Sequence, residues 1–235
     1  MAEMVLAPLR GDGKEANFIQ KFGRAFVRGD AFTKLSLLVW GLGYIGHGQL
    51  IKALLVTLVQ GLGLYFLGTS GIPALKKLGT LGTVQMEMQF NPVTLKNEVN
   101  NYDNSFAILL LSVIALVIIA SLVVAAMMVV QSNYLLQQQK AAGKKPNSFR
   151  QDINCYLNEK FYVTLLTLPV LGVVVFTIVP LFILIAVAFT NYDQQHMPPA
   201  ALFTWVGLAN FASLFGGQSL SMTFSYAFGK VLSWT

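Results

Sequence analysis

Three groups of residues are candidates for chemistry. The first is G-x-G-x-x-G at Gly41, Gly43 and Gly46, within an apolar run that begins at Leu35. In a dinucleotide-binding turn such glycines bring the backbone close to a pyrophosphate, and an acid about 20 residues on holds the ribose. No acid follows until Glu87, so that reading fails. The second group is His47 and His196; His47 sits among the glycines without a second metal-ligand candidate nearby, and the two histidines are expected on opposite membrane faces. The third is Cys155, the single cysteine, which can form no intrachain disulfide and has no nearby histidine to activate its thiol. The sequence has no G-x-x-x-x-G-K-S/T, H-E-x-x-H, paired-cysteine or G-x-S-x-G motif. No charge lies deep within an apolar run, so no proton relay or ion-coupling group is in view. These observations argue against an enzyme and against a self-sufficient ion pump. No catalytic, cofactor-binding or metal-ligating residue is assigned.

Any site in this chain would have to be held by hydrophobic elements. Of 235 residues, 55% are hydrophobic and 11% charged, with mean hydropathy +0.61. Soluble domains carry about 25% charged residues, so the composition is that of a membrane protein. The net charge of +6 does not require nucleic acid, because the basic residues sit in loops beside apolar runs, the pattern that orients membrane proteins. No cleavable signal peptide is evident in the polar, basic first stretch of the chain.

Residues 1–49 form a cytoplasmic or interfacial N-terminal segment. Within it Phe18, Phe22 and Phe26 recur at i, i+4 and i+8. This predicts a short amphipathic helix resting on the bilayer with its basic side toward anionic lipid; a disordered tail is the plainer alternative. Trp40 and Tyr44 are expected at headgroup depth. The first span is 50–67, with Lys52 snorkelling to the surface. Residues 68–105 read as a polar extracytoplasmic loop. The second span, 106–130, carries no charge. It is expected to continue as a helical stalk into the 131–160 cytoplasmic loop, up to the stop signal of Gly143 and Pro146. The third span is 161–190, with Pro169 at its first turn and Pro180 as the site of a kink, either a moving part or a static bend. Residues 191–235 are an extracytoplasmic collar and the start of a fourth span. The closing FSYAFGKVLSWT reads as the approach to another apolar helix, so a longer parent protein is expected.

Lys and Arg number six in residues 1–49 and five in 131–160, against three in 68–105 and one in 191–235. The positive-inside bias puts the N-terminus in the cytoplasm. The fold class is therefore an all-α polytopic membrane protein, with three transmembrane helices plus the start of a fourth. Its expected localisation is a membrane, multi-pass.

After the third span come Phe189-Thr190-Asn191-Tyr192-Asp193, Pro198-Pro199, and Leu202-Phe203-Thr204-Trp205-Val206-Gly207-Leu208, followed by Asn210-Phe211. This stretch resembles the large permease subunit of maltose/maltodextrin ABC importers, within the binding-protein-dependent sugar permeases. The short form V-G-L-x-N-F is common to many sugar permeases. The longer form, with FTNYD, the proline pair and LFTW, is more specific to the maltose branch. KLSLLVWGLGYIGHGQLIKALL and GIPALKKLGTLGT also look like that branch, so the resemblance covers roughly residues 32–235. Ala209 stands where the family often has an acid. The family's translocation core and ATPase-coupling loop correspond to sequence beyond residue 235.

The resemblance implies a transport subunit, not an enzyme, in the bacterial cytoplasmic membrane, multi-pass. It would work with a second permease subunit, two ATPase subunits and an extracytoplasmic sugar-binding protein, in contact with membrane lipid and without nucleic acid. ATP and Mg would be bound by the partner ATPase, and no cofactor by this chain. Asn191, Asp193, Trp205, Gly207, Asn210 and Phe211 are the positions expected to matter at the outer face. Asn191 and Asp193 would bond free carbonyls at the helix end, and Phe203, Trp205 and Phe211 would lie at headgroup level. The collar is either a ledge near which the binding protein docks or an anchor that fixes helix tilt. A membrane scaffold or regulator without transport activity is the alternative function.

Overall fold

The computed structural model describes residues 17–215 and 219–234; Arg10 and Lys14, two of the basic residues of the N-terminal segment, lie outside them. Three stretches are long and apolar enough to cross a membrane: Leu50–Lys77, Ser105–Ala141 and Phe161–Val187. The chain is a multi-pass membrane protein. It forms two compact units, residues 1–67 with 117–169 and residues 68–116 with 170–235.

The first unit begins with α1 (Phe18–Arg28), α2 (Ala31–Leu35) and α3 (Trp40–Gly46). The amphipathic helix is present as α1, entered through an Asn17 N–H that donates to Gln20 Oε1 at 3.2 Å. Asp30 caps α2, accepting from the Thr33 N–H at 2.7 Å. Helix α4 (Leu50–Phe66) then starts the first span. Trp40 and the three glycines have a packing role. Trp40 is buried in protein rather than set among headgroups, because the Gln60 side chain on α4 joins the two segments. Gln60 accepts from the Trp40 N–H at 3.0 Å and donates to the Leu38 carbonyl at 2.7 Å. A Cβ on Gly41 would strike Thr57, one on Gly43 would strike Asn133, and one on Gly46 would strike Phe32. The G-x-G-x-x-G spacing thus lets a short helix lie close against its neighbours.

Helix α6 (Ser105–Ala141) is the longest element among the described residues, and its polar end belongs to the first unit. The expected stalk is there. It stops where Gly143 turns left-handed (φ +70°), with the Lys144 N–H on the Gln139 carbonyl at 2.9 Å and the Gly143 N–H on that of Lys140 at 3.0 Å, a glycine-terminated helix end. The stalk does not stand free. Gln131 donates to the Phe18 carbonyl (3.2 Å), Gln137 accepts from the Asp30 N–H (2.9 Å), and Lys140 donates to the Gly46 carbonyl (3.4 Å). Lys52 reaches the 131–160 segment and finds partners there. Its ammonium pairs with Asp152 of α7 (Phe149–Leu157) and donates to the Asn147 carbonyl at 3.2 Å. Segments 17–49 and 131–160 therefore touch one another, as two loops on one side of a bilayer can.

The third span is α8 (Phe161–Val173), a π-helical turn (Val174–Ile178) and α9 (Val179–Val187). Pro169 lies in the interior of α8, not at its first turn. The helix is already formed at Phe161, where Thr164 Oγ1 donates to the Tyr156 carbonyl at 2.8 Å and joins α7 to the new helix. Ahead of Pro180 the helix takes the wider π turn, which absorbs the backbone bond that proline cannot make.

In the second unit, the segment read as a polar loop is more ordered than expected. The first span continues past Leu67 through a π-helical turn (Leu67–Gly71) into α5 (Ile72–Lys77). A β-hairpin then pairs β1 (Met88–Asn91) with β2 (Lys96–Val99) in antiparallel register, Met88 opposite Val99 and Asn91 opposite Lys96. Asn91 turns the hairpin by accepting from the Val93 N–H at 2.9 Å and donating to Glu98 at 2.7 Å. The unit's core is Leu81, Ile108, Leu109, Ile183 and Phe203. Helices α10 (Ala209–Phe215) and α11 (Ser219–Trp234) follow the third span, α11 where the start of a fourth was expected.

Candidate functional site

Helix α9 ends at Val187, leaving the carbonyls of Ala188, Phe189 and Thr190 without helical partners. Buried or lipid-facing carbonyls in that state are costly. The returning segment 204–210 satisfies all three. Asn210 Nδ2 donates to Ala188 (2.9 Å) and Thr190 (2.7 Å), while the N–H groups of Val206 (2.9 Å) and Gly207 (3.1 Å) both reach Phe189. Asn191 reciprocates: its N–H reaches the Thr204 carbonyl at 3.1 Å and its Oδ1 accepts from the Thr204 N–H at 2.6 Å. Thr190 and Trp205 face each other in an antiparallel bridge.

This geometry explains V-G-L-x-N-F residue by residue. Gly207 takes φ +61°, the left-handed region that favours glycine. Asn210 supplies the only side chain in the motif with two N–H donors on one atom, which is what two nearby free carbonyls need. Phe211 packs its ring on Phe189, centroids 5.3 Å apart.

The collar is tied to the rest of its unit at two points. The Trp205 indole N–H donates to the Leu78 carbonyl at 2.7 Å, and the Phe203 N–H to Ser105 Oγ at 3.2 Å. Phe203 is fully buried and not at headgroup level as expected; Tyr192 meets its ring edge-on at 5.4 Å. The backbone bond to Ser105 and the core of α6 and α9 residues around it draw that ring inward.

Of the six residues expected at the outer face, Asn191, Trp205, Gly207, Asn210 and Phe211 come together in this clasp. Asp193 does not join it and does not cap the helix. A carboxylate only accepts, and the free carbonyls need donors. Asp193 Oδ1 instead accepts from the N–H groups of Gln195 and His196 and pairs with His196 Nδ1, all at 2.8 Å. The His196 ring is the main reason its carboxyl titrates below the usual 3.8. Pro180 lies within α9, away from the clasp's bonds.

The other residues singled out for chemistry stay apart. His47 is buried in the first unit, its Nε2 4.0 Å from Asp30 Oδ2. Desolvation, and then the Glu159 carboxylate 3.5 Å from Sγ, push the Cys155 thiol up, the opposite of what a nucleophile needs.

Sequence reasoning missed Asp103. It is 7% exposed and accepts from Lys77 Nζ at 2.5 Å and from the N–H groups of Thr83 (3.0 Å) and Val84 (3.3 Å). The Lys77 bond, then those backbone donors, hold its carboxyl below the usual 3.8. Its partners lie 19 to 26 residues away, and no local pattern marks them. The one available signal was an acid standing shortly before a long charge-free run.

The clasp offers no nucleophile aligned with a base, and its polar atoms are largely committed to one another. Among the described residues, no three His, Cys, Asp or Glu side chains are grouped so as to hold a metal ion. What the arrangement can do is present a fixed surface, with Leu208, Tyr192 and part of Trp205 outward.

The chain is 32% identical over 196 residues to the maltodextrin transport system permease protein MdxF of Bacillus subtilis (strain 168), covering 83% of this chain and 42% of that protein. It is 47% identical over 78 residues to the maltodextrin transport system permease protein MalC of Streptococcus pneumoniae serotype 4, 33% of this chain and 17% of that protein. It is 28% identical over 196 residues to the galactooligosaccharides transport system permease protein GanP of Bacillus subtilis (strain 168), 78% of this chain and 44% of that protein. The chain spans less than half the length of these curated relatives. No family model and no solved structure matches it.

Proposed function

This chain is a homologue of sugar-transport permeases, and we propose that it is part of a transmembrane permease subunit of an ATP-driven importer for maltose or maltodextrin. In this reading its N-terminus is cytoplasmic. A second permease subunit, two ATPase subunits that bind ATP and Mg, and an extracytoplasmic sugar-binding protein complete the machine. Hydrolysis in the partners drives alternating access, and this chain contributes no catalytic group.

The observation that carries the reading is the clasp of Phe189–Asn191 by Thr204–Phe211. It supports a role for the collar as a ledge beside which a binding protein docks, because its backbone is fixed by paired bonds and its outer side chains are exposed. Ordering established before association lowers the cost of binding. Asn191, Trp205, Gly207, Asn210 and Phe211 build the ledge, and Asp193 with His196 forms a turn beside it in sequence.

The test is to purify the full-length gene product in mild detergent and assay for a co-purifying ATPase. Activity that rises with binding protein and maltodextrin supports the proposal. A rise with galactooligosaccharide alone keeps the importer and changes the sugar. No associated ATPase under any sugar rejects the importer and favours a scaffold or regulator.

A further inference from the structure

We infer that α1 is an in-plane helix that binds anionic phospholipid headgroups. The inference needs only membrane residence and not the transport reading.

The sequence pattern put Phe18, Phe22 and Phe26 on one lipid-facing side, but the structure divides the helix three ways. Phe22, Ala25 and Gly29, about one turn apart, turn inward; Ala25 and Gly29 are buried and Phe22 half-buried. Ile19, Phe26 and Val27 form one open flank, with Ile19 73% and Val27 74% exposed. Gln20, Arg24 and Arg28, at i, i+4 and i+8, form the opposite flank, also exposed, with Lys21 at its inner edge. No acid lies within α1.

A helix docked along its back, apolar on one open flank and cationic on the other, fits a bilayer surface, where acyl chains and headgroups meet. Its depth has an independent marker. The run 106–130 that crosses the hydrocarbon holds no polar side chain except the small hydroxyls of Ser112 and Ser121, and Gln131 ends it. The Gln131 side chain donates to the carbonyl of Phe18, the first residue of α1. The helix is thus tied to the second span at the level where that span leaves the apolar core. Charge then selects the occupant: three cations without an acid favour an anionic leaflet over a protein surface of unspecified charge.

The experiment uses the full-length protein in lipid nanodiscs. Cys155→Ser, with any further cysteine of the full-length protein replaced in the same way, removes native thiols, and a single cysteine replacing Ile19 or Gln20 carries an environment-sensitive fluorophore. Quenching by spin-labelled phosphatidylglycerol is compared with quenching by spin-labelled phosphatidylcholine at equal mole fraction. At low salt the label at Ile19 is quenched more than the label at Gln20. The phosphatidylglycerol preference is about fivefold, the equivalent of one basic side chain near an anionic surface. The preference disappears at about 0.5 M salt, where screening is short-ranged, and in the triple variant Lys21→Gln, Arg24→Gln, Arg28→Gln. The double variant Arg24→Lys, Arg28→Lys keeps the charge and keeps the preference; its loss there would assign the arginines a structural role and overturn the inference. Equal quenching by both lipids would leave apolar anchoring without headgroup binding. No quenching at Ile19 would mean that protein covers the flank. Either result overturns it.

Discussion

The Trp205 indole N–H donates to the backbone carbonyl of Leu78, 127 residues earlier, at 2.7 Å. That bond fastens the collar after the third span to the end of the first span's helical extension. Trp205→Phe keeps an aromatic ring and removes the donor, so the Leu78 carbonyl loses its partner. The expected cost is about 1 kcal/mol, read as a lower thermal midpoint of the purified protein. Trp205→Ala costs more, because packing is lost as well. An unchanged midpoint in Trp205→Phe would show that water replaces the bond freely.

Asn210 holds two carbonyls with one amide nitrogen. Asn210→Ala leaves both unsatisfied. Asn210→Asp is expected to be worse despite its similar shape, since a carboxylate cannot donate and its charge faces two carbonyl dipoles. Thermal unfolding of the two variants side by side checks the order, with Asn210→Asp lower by about 1 kcal/mol or more. The reverse order would mean that the amide bonds do not hold the clasp.

The Asp103 carboxyl gives the second unit a pH dependence. Lys77 and the N–H groups of Thr83 and Val84 bond its ionised form and depress its pKa when folded. A depressed folded pKa means that the unfolded state binds the proton more readily. The stabilisation is therefore fully present above the ordinary value of 3.8 and is lost as the pH falls through the lower folded value. Asp103→Asn should lower the thermal midpoint at pH 7, and its gap from the native protein should narrow in acid below about pH 4. A gap that stays constant with pH would remove the charged contact from the explanation.

Two glycines of the N-terminal segment should respond in opposite directions to alanine. A Cβ at Gly43 runs into the buried Asn133 side chain, so Gly43→Ala should destabilise by about 1–3 kcal/mol, as overpacking does. Gly23, within α1, has open space where its Cβ would be. Gly23→Ala should stabilise by roughly 0.5–1 kcal/mol through helix propensity. Thermal midpoints of both variants decide the matter; similar effects at the two positions would contradict the close approach of α3 to α6.

Properties that add up locally were legible before any fold was known. Transfer of a residue into hydrocarbon is summed along the chain, so runs such as 106–130 and 161–190 declare themselves as spans without reference to anything distant. The end of α6 was legible for the same reason, since a glycine in the left-handed conformation terminates a helix through bonds to the preceding turn. V-G-L-x-N-F could be recognised as a pattern, but its purpose could not be read. It took the folded chain to establish that Asn210 rather than Asp193 satisfies the helix end, that Phe203 is core, and that Phe22 turns inward while Ile19 and Val27 stay open. The same holds for the packing of the G-x-G-x-x-G segment against Thr57, Asn133 and Phe32, and for Asp103 as the organiser of the segment after the first span. Each of these rests on which distant donor or surface arrives next to a group. Hydrogen bonds and close packing act within a few ångströms in space, whatever the separation along the chain, and so they appear only when the fold has brought their partners together.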